Sequence, residues 1–104
     1  MKFISTSQLK VLLAANDVIV VDVREQYERM ICAINSIHIP MGEIERRFSE
    51  IPTDKNVVLL CKSGRRAEAI CNYLEKEQHF SNLSVLEGGI LEWIEKVDNQ
   101  LENY

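Results

Sequence analysis

The chain reads as an α/β domain built in three layers around a mostly parallel sheet. Three observations predict that class. Two apolar runs of strand length, Val18–Val23 and Val57–Leu60, show almost no polar alternation, as expected of strands buried on both faces. Between and after them lie segments with helical spacing; in the clearest, Ala67, Ile70, Cys71 and Leu74 fall on one helical face. Strand and helix patterns alternate along the chain, which is how parallel strands are joined.

The elements follow in order. Ser5-Thr6-Ser7-Gln8 has the form of a capping box, so a helix starts after Ser5 and carries Leu9, Leu12 and Leu13 as its stripe. Asn16-Asp17 ends it, and Val18–Val23 is a strand. Arg24 to Met30 is polar and reads as loop or short helix. Ile37-His38-Ile39 is a short strand closed by Pro40, and Gly42 to Phe48 a short helix using Ile44 and Phe48. Pro52-Thr53-Asp54-Lys55-Asn56 has turn chemistry before the strand Val57–Leu60. A helix then runs from Ala67 to Gln78, Leu83–Leu86 is a strand, and Gly88-Gly89 turns the chain into a closing helix, Ile90–Ile94. On that helix Trp93 joins Ile90, Ile94 and Val97 in a core-facing stripe.

At 104 residues, 46% hydrophobic and 27% charged, the chain has the size and composition of one globular domain, residues 1–104. A net charge of −4 argues against nucleic-acid or anionic-membrane binding, which needs a broad basic surface. No run approaches the roughly 18 apolar residues of a membrane span. The segment Met1–Thr6 lacks the apolar stretch of a secretory signal. Cys32, Cys61 and Cys71 have no metal-ligand spacing, and with two histidines, His38 and His79, no zinc site is expected, nor any cofactor. An odd count of free thiols fits a reducing, cytoplasmic setting.

Against this acidic background, Cys61-Lys62-Ser63-Gly64-Arg65-Arg66 gathers three cations and no acid directly after a buried strand. Ligands of open parallel sheets sit beyond the carboxyl ends of the strands, where Cys61 falls. Gly64 allows a sharp turn, so successive loop N–H groups can face one sulfur. The following helix aims the positive end of its dipole at the same place. These features together favour the thiolate, the form that attacks. Cys61 is the expected nucleophile, with Lys62, Ser63, Gly64, Arg65 and Arg66 binding substrate. A buried structural cysteine beside a solvated basic turn is the plainer alternative, and Cys71 and Cys32 read as core residues of that kind.

The loop and its surroundings resemble the single-domain rhodanese family. Besides Cys61–Ala67 the resemblance rests on Val21-Asp22-Val23-Arg24-Glu25, His38-Ile39-Pro40-Met41-Gly42-Glu43, and Leu86-Glu87-Gly88-Gly89-Ile90 with Trp93. It implies a rhodanese-like fold with a five-stranded sheet and a catalytic cysteine at the base of a six-residue loop. It also implies sulfur transfer through a persulfide on Cys61, with Asp22 and Arg24 bracing the loop. The donor would be a small anion such as thiosulfate or a protein persulfide, and the acceptor a thiol or sulfur-carrier protein. Two departures stand out. Ile31-Cys32-Ala33-Ile34-Asn35-Ser36 lacks the histidine and glycines of the family's corresponding stretch, and Ala67 replaces a frequent Ser or Thr. The tail Asp98–Tyr104 is similar to that of rhodanese domains fused to the adenylyltransferases of molybdopterin and thiamine biosynthesis.

Two other functions share the fold. Phosphatases and arsenate reductases need Cys-x5-Arg, whereas Arg66 gives Cys-x4-Arg and Ala67 stands where that arginine would be. The shorter loop suits a sulfur atom better than a tetrahedral oxyanion. A non-catalytic interaction module is the third reading, disfavoured by the intact cysteine and basic loop.

Overall fold

The computed structural model of the chain describes residues 1–104. Five strands, β1 (Phe3–Ile4), β2 (Ile19–Asp22), β3 (Ile37–His38), β4 (Val57–Leu60) and β5 (Leu83–Leu86), form one sheet in the order β1-β5-β4-β2-β3. All four pairings are parallel. The helices are α1 (Thr6–Ala14), α2 (Gln26–Ile31), α3 (Ile44–Arg47), α4 (Arg65–Glu77) and α5 (Gly89–Lys96), with 3₁₀ turns at Met41–Glu43 and Phe48–Glu50.

The apolar runs of β2 and β4 are explained by two cores, one on each sheet face. Along β4, Val57 and Leu59 enter one core with Ile44, Ile70, Cys71 and Leu74. Val58 and Leu60 enter the other with Leu9, Ile90, Trp93 and Ile94. Strand side chains alternate between faces, so a strand covered on both sides has no position left for a polar residue. Three layers result: α1 and α5, the sheet, then α3 and α4.

Most element boundaries move by one to three residues from the sequence expectation, as helix and strand ends do. Strand β2 is shorter at both ends than Val18–Val23, and α4 starts two residues before Ala67. The polar stretch after Arg24 contains a helix, α2, at whose start the Glu25 N–H donates to Glu28 Oε1 at 3.0 Å. Strand β1 is the one element that residue patterning did not provide. Two residues long and half apolar, Phe3–Ile4 carries no period, and its strand state comes from pairing with Val85 and Leu86 at the sheet edge. The capping box at Ser5 is present in both directions, Gln8 N–H to Ser5 Oγ at 3.1 Å and Ser5 N–H to Gln8 Oε1 at 2.8 Å.

Candidate active site

Strand β4 ends at Leu60, and its alternation sends the next side chain, Cys61, into the α3/α4 core. Cys61 is 1% exposed. Its Sγ accepts hydrogen bonds from the N–H of Gly64 at 3.0 Å and of Ala67 at 3.4 Å. Gly64 makes this possible. At φ +106° it occupies a backbone region that L side chains rarely adopt, and it serves as N-cap of α4. The first-turn amides of α4 have no helical acceptor; Ala67 spends its N–H on the sulfur, and Lys62, Ser63, Arg65 and Arg66 donate theirs to no other protein group. Two backbone donors on one sulfur, in a loop whose other amides have no protein acceptor, suit an atom that bears negative charge.

The back of the loop is held by α5. Ile90 N–H donates to Cys61 O at 2.9 Å and Leu91 N–H to Lys62 O at 3.2 Å. Gly89, at φ +62°, lies so close that a Cβ there would overlap the Lys62 carbonyl and come within 2.6 Å of Cys61 O. The Gly88-Gly89 turn is therefore part of the site's scaffold, a role its turn chemistry did not announce.

The three loop cations have different fates, which corrects the expectation of one cationic cluster free of acids. Arg66 points to Glu28 on α2, and its two terminal nitrogens bind the two carboxylate oxygens at 2.6 and 2.8 Å. Glu28 is 3% exposed. The Arg66 hydrogen bonds, above all, lower its pKa from 4.5 to about 2 against the opposing effect of burial. Lys62 is half-buried, its Nζ 4.5 Å from the centroid of the Tyr104 ring. Arg65 is exposed and forms no ion pair; Ser63 is exposed at the loop tip.

Asp22 and Arg24 are both fully buried and bind each other at 2.7 Å. Neither hydrogen-bonds to the Cys61–Arg66 loop. They reach it through Tyr104, whose hydroxyl accepts from Arg24 Nη1 at 3.0 Å and donates to Glu28 Oε2 at 2.8 Å. Arg24 also donates to Cys32 O at 2.9 Å and Glu28 O at 3.4 Å, and Arg29 adds a second partner to Asp22 at 3.2 Å. A linear hydrogen-bonded network thus runs Asp22–Arg24–Tyr104–Glu28–Arg66 and ends at the loop, buried at Asp22, Arg24 and Glu28 and half-buried at Tyr104 and Arg66. Burial opposes the Arg24 charge, and its bonds to Asp22 and Tyr104 outweigh that, holding its pKa above the ordinary value.

Sequence reading missed Glu28 and Tyr104, whose contacts with Arg66 and with each other span 38 and 76 residues. Glu28 gave one faint signal, its place three residues after Glu25 in a capping pattern. In the atypical stretch 31–36, Cys32 is buried and offers its carbonyl to Arg24, while Ser36 Oγ accepts from Arg29 at 2.6 Å. Cys71 is buried, and burial, with help from Glu75, pushes its thiol up to about 11. His38 Nε2 lies 2.7 Å from Arg24 O. No group of acidic, His or Cys side chains is arranged to hold a metal, and no helix is long and apolar enough to cross a membrane.

The model of the rhodanese-like domain matches residues 5–96. The chain belongs to that family. It is 38% identical over 94 residues to YtwF of Bacillus subtilis (strain 168), covering 88% of this chain and 89% of that protein. It is 39% identical over 83 residues to a sulfurtransferase of Allochromatium vinosum, covering 79% and 77% of the two chains. Among solved structures, a rhodanese-related protein from Thermoplasma volcanium superposes with a TM-score of 0.84 at 32% identity, covering 93% and 94% of the two chains. The five-stranded parallel sheet is thus a rhodanese-like feature of this chain.

Proposed function

We propose that the protein is a sulfurtransferase that carries sulfane sulfur on Cys61. The observation that carries this reading is the pair of backbone donors, Gly64 and Ala67, on Cys61 Sγ, in a loop whose other amides have no protein acceptor. The Cys61 thiolate attacks the outer sulfur of thiosulfate; the S–S bond of thiosulfate breaks and sulfite leaves with its electron pair. Cys61 is left as a persulfide anion. Cyanide in an assay, or a thiol or sulfur-carrier protein, then attacks the outer sulfur and frees the thiolate. Each half-reaction conserves charge and needs no external oxidant. Two half-reactions through one covalent intermediate give ping-pong kinetics.

The free N–H groups of Lys62, Ser63, Arg65 and Arg66 are the donors that hold the persulfide, and Arg65 and Lys62 are the cations that meet an anionic donor. Arg66, committed to Glu28, shapes the loop more than it binds substrate. Asp22 and Arg24 support the site through Tyr104 and Glu28. With 1% of Cys61 exposed, the reacting end of the donor must be as narrow as a terminal sulfur atom, and the loop must part to admit it. Protein persulfides and thiosulfate both present such an end. The phosphatase reading loses ground because Ala67, where its arginine is required, is buried with its N–H on the sulfur.

Steady-state transfer from thiosulfate to cyanide tests the reading. Parallel reciprocal plots and loss of activity to background in Cys61→Ser are expected. Intersecting plots, or activity retained in Cys61→Ser, would remove Cys61 from the role.

A further inference from the structure

Tyr104 meets one loop cation, Lys62, directly and a second, Arg66, through Glu28, yet it lies in the segment after α5, well outside the loop. Val97, Leu101 and Tyr104 pack along the edge of the α1/α5 core, which carries the segment across the molecule toward α2. At its end the ring lies beneath Lys62 Nζ and the hydroxyl sits between Arg24 and Glu28. Both hydroxyl bonds are used, one as acceptor and one as donor, so the phenol has one orientation that satisfies Arg24 and Glu28 together. Glu28 in turn fixes Arg66 through two bonds.

We infer that Tyr104 is a positioning residue for the active-site loop: its ring sets Lys62, so that positive charge is held at the loop, and its hydroxyl, through Glu28, sets Arg66 and with it the loop's shape. A flexible lysine on a loop spends its time in solvent; an aromatic face on one side confines it. Without the hydroxyl, Glu28 loses a donor and Arg24 an acceptor inside a part-buried network, and the carboxylate that orients Arg66 is held by one bond fewer. The inference deepens the sulfur-transfer reading and rests on it for its functional meaning, because thiosulfate is a dianion drawn by that charge.

The test uses two alkylating reagents of similar size, anionic iodoacetate and neutral iodoacetamide, with modification of Cys61 followed by peptide mass mapping. The ratio of their rates reports local potential, since changes in access or in thiolate population affect both reagents alike. Tyr104→Leu is expected to lower the iodoacetate-to-iodoacetamide ratio roughly 3- to 10-fold, the effect of about one unit charge moved away from a partly buried site. Tyr104→Phe, which keeps the ring under Lys62, is expected to fall between Tyr104→Leu and wild type. Lys62→Gln should lower the ratio as well. A wild-type ratio in Tyr104→Leu, including one in which both rates change together, overturns the inference. So does a Lys62→Gln variant with a wild-type ratio. Should Tyr104→Leu not fold, a wild-type ratio in Tyr104→Phe overturns it alone. Alkylation needs no sulfur transfer, so failure of the sulfurtransferase reading would leave this measurement standing.

Discussion

Single residues at this site carry contacts of different kinds, and each has its own test. Gly89 is held at positive φ against the Cys61 and Lys62 carbonyls. Gly89→Ala therefore adds a left-handed strain of about 1–3 kcal/mol to a steric overlap with the loop. The expected outcome is a lower melting temperature together with a larger proportional loss of sulfur transfer, read by calorimetry and assay on the same sample. Glu28 gives a pH signature. Its carboxyl has a pKa of about 2 in the folded protein against an ordinary 4.5, so the unfolded chain binds the proton first as pH falls. Its stabilisation is complete above about pH 4.5 and is lost between there and about pH 2. Urea midpoints measured across that window should fall more steeply for wild type than for Glu28→Gln, which starts lower and changes less. Neither residue could be chosen from the sequence. Glu28 looks like any acid of a polar stretch until α4 places Arg66 on it, and Gly89 looks like any turn glycine until α5 meets the loop. Cys61 could be chosen as a candidate from the sequence because strand end, glycine, cations and helix start are all local to it.

Among the elements, periodicity was readable where burial is two-sided or amphipathic, and unreadable where length was too short to hold a period. Strands β2, β4 and β5 and helices α1 and α4 follow directly from their apolar spacing. Strand β1 exists through its partner, and the one fully buried side chain of α2 is a charged one, Glu28, with Ile31 only partly buried against the core. Helix α1 owes its start to the Ser5–Gln8 box; Ser5→Ala should cost about 1 kcal/mol, measured by urea denaturation. Helix α5 offers a contrast between volume and polarity. Trp93 is 6% exposed, and its Nε1 has no hydrogen-bond partner. Trp93→Phe removes that unsatisfied donor along with some volume, so the expected change is under about 1.5 kcal/mol. Trp93→Ala should cost about 3–5 kcal/mol by the same measurement.

Over the whole molecule, the two faces of the sheet divide the work. The α3/α4 side buries Cys61 and Cys71 among apolar residues. The Asp22–Arg24 network reaches Cys32 and Tyr104, which pack with the α1/α5 core, and it joins the loop through Glu28 and Arg66. The fold class was legible because it depends on alternation along the chain. The composition of the site was legible only in part, because half of it is assembled by contacts across tens of residues. A net charge of −4 makes the local cations at the loop count for more, and raising salt should slow attack by thiosulfate more than attack by a neutral donor. The most direct measurement is the intact mass of the protein after thiosulfate treatment and gel filtration. A persulfide carried on Cys61 predicts a gain of one sulfur atom, located on that residue, discharged by cyanide and absent from Cys61→Ser. An unchanged mass, or the same gain in Cys61→Ser, would contradict it.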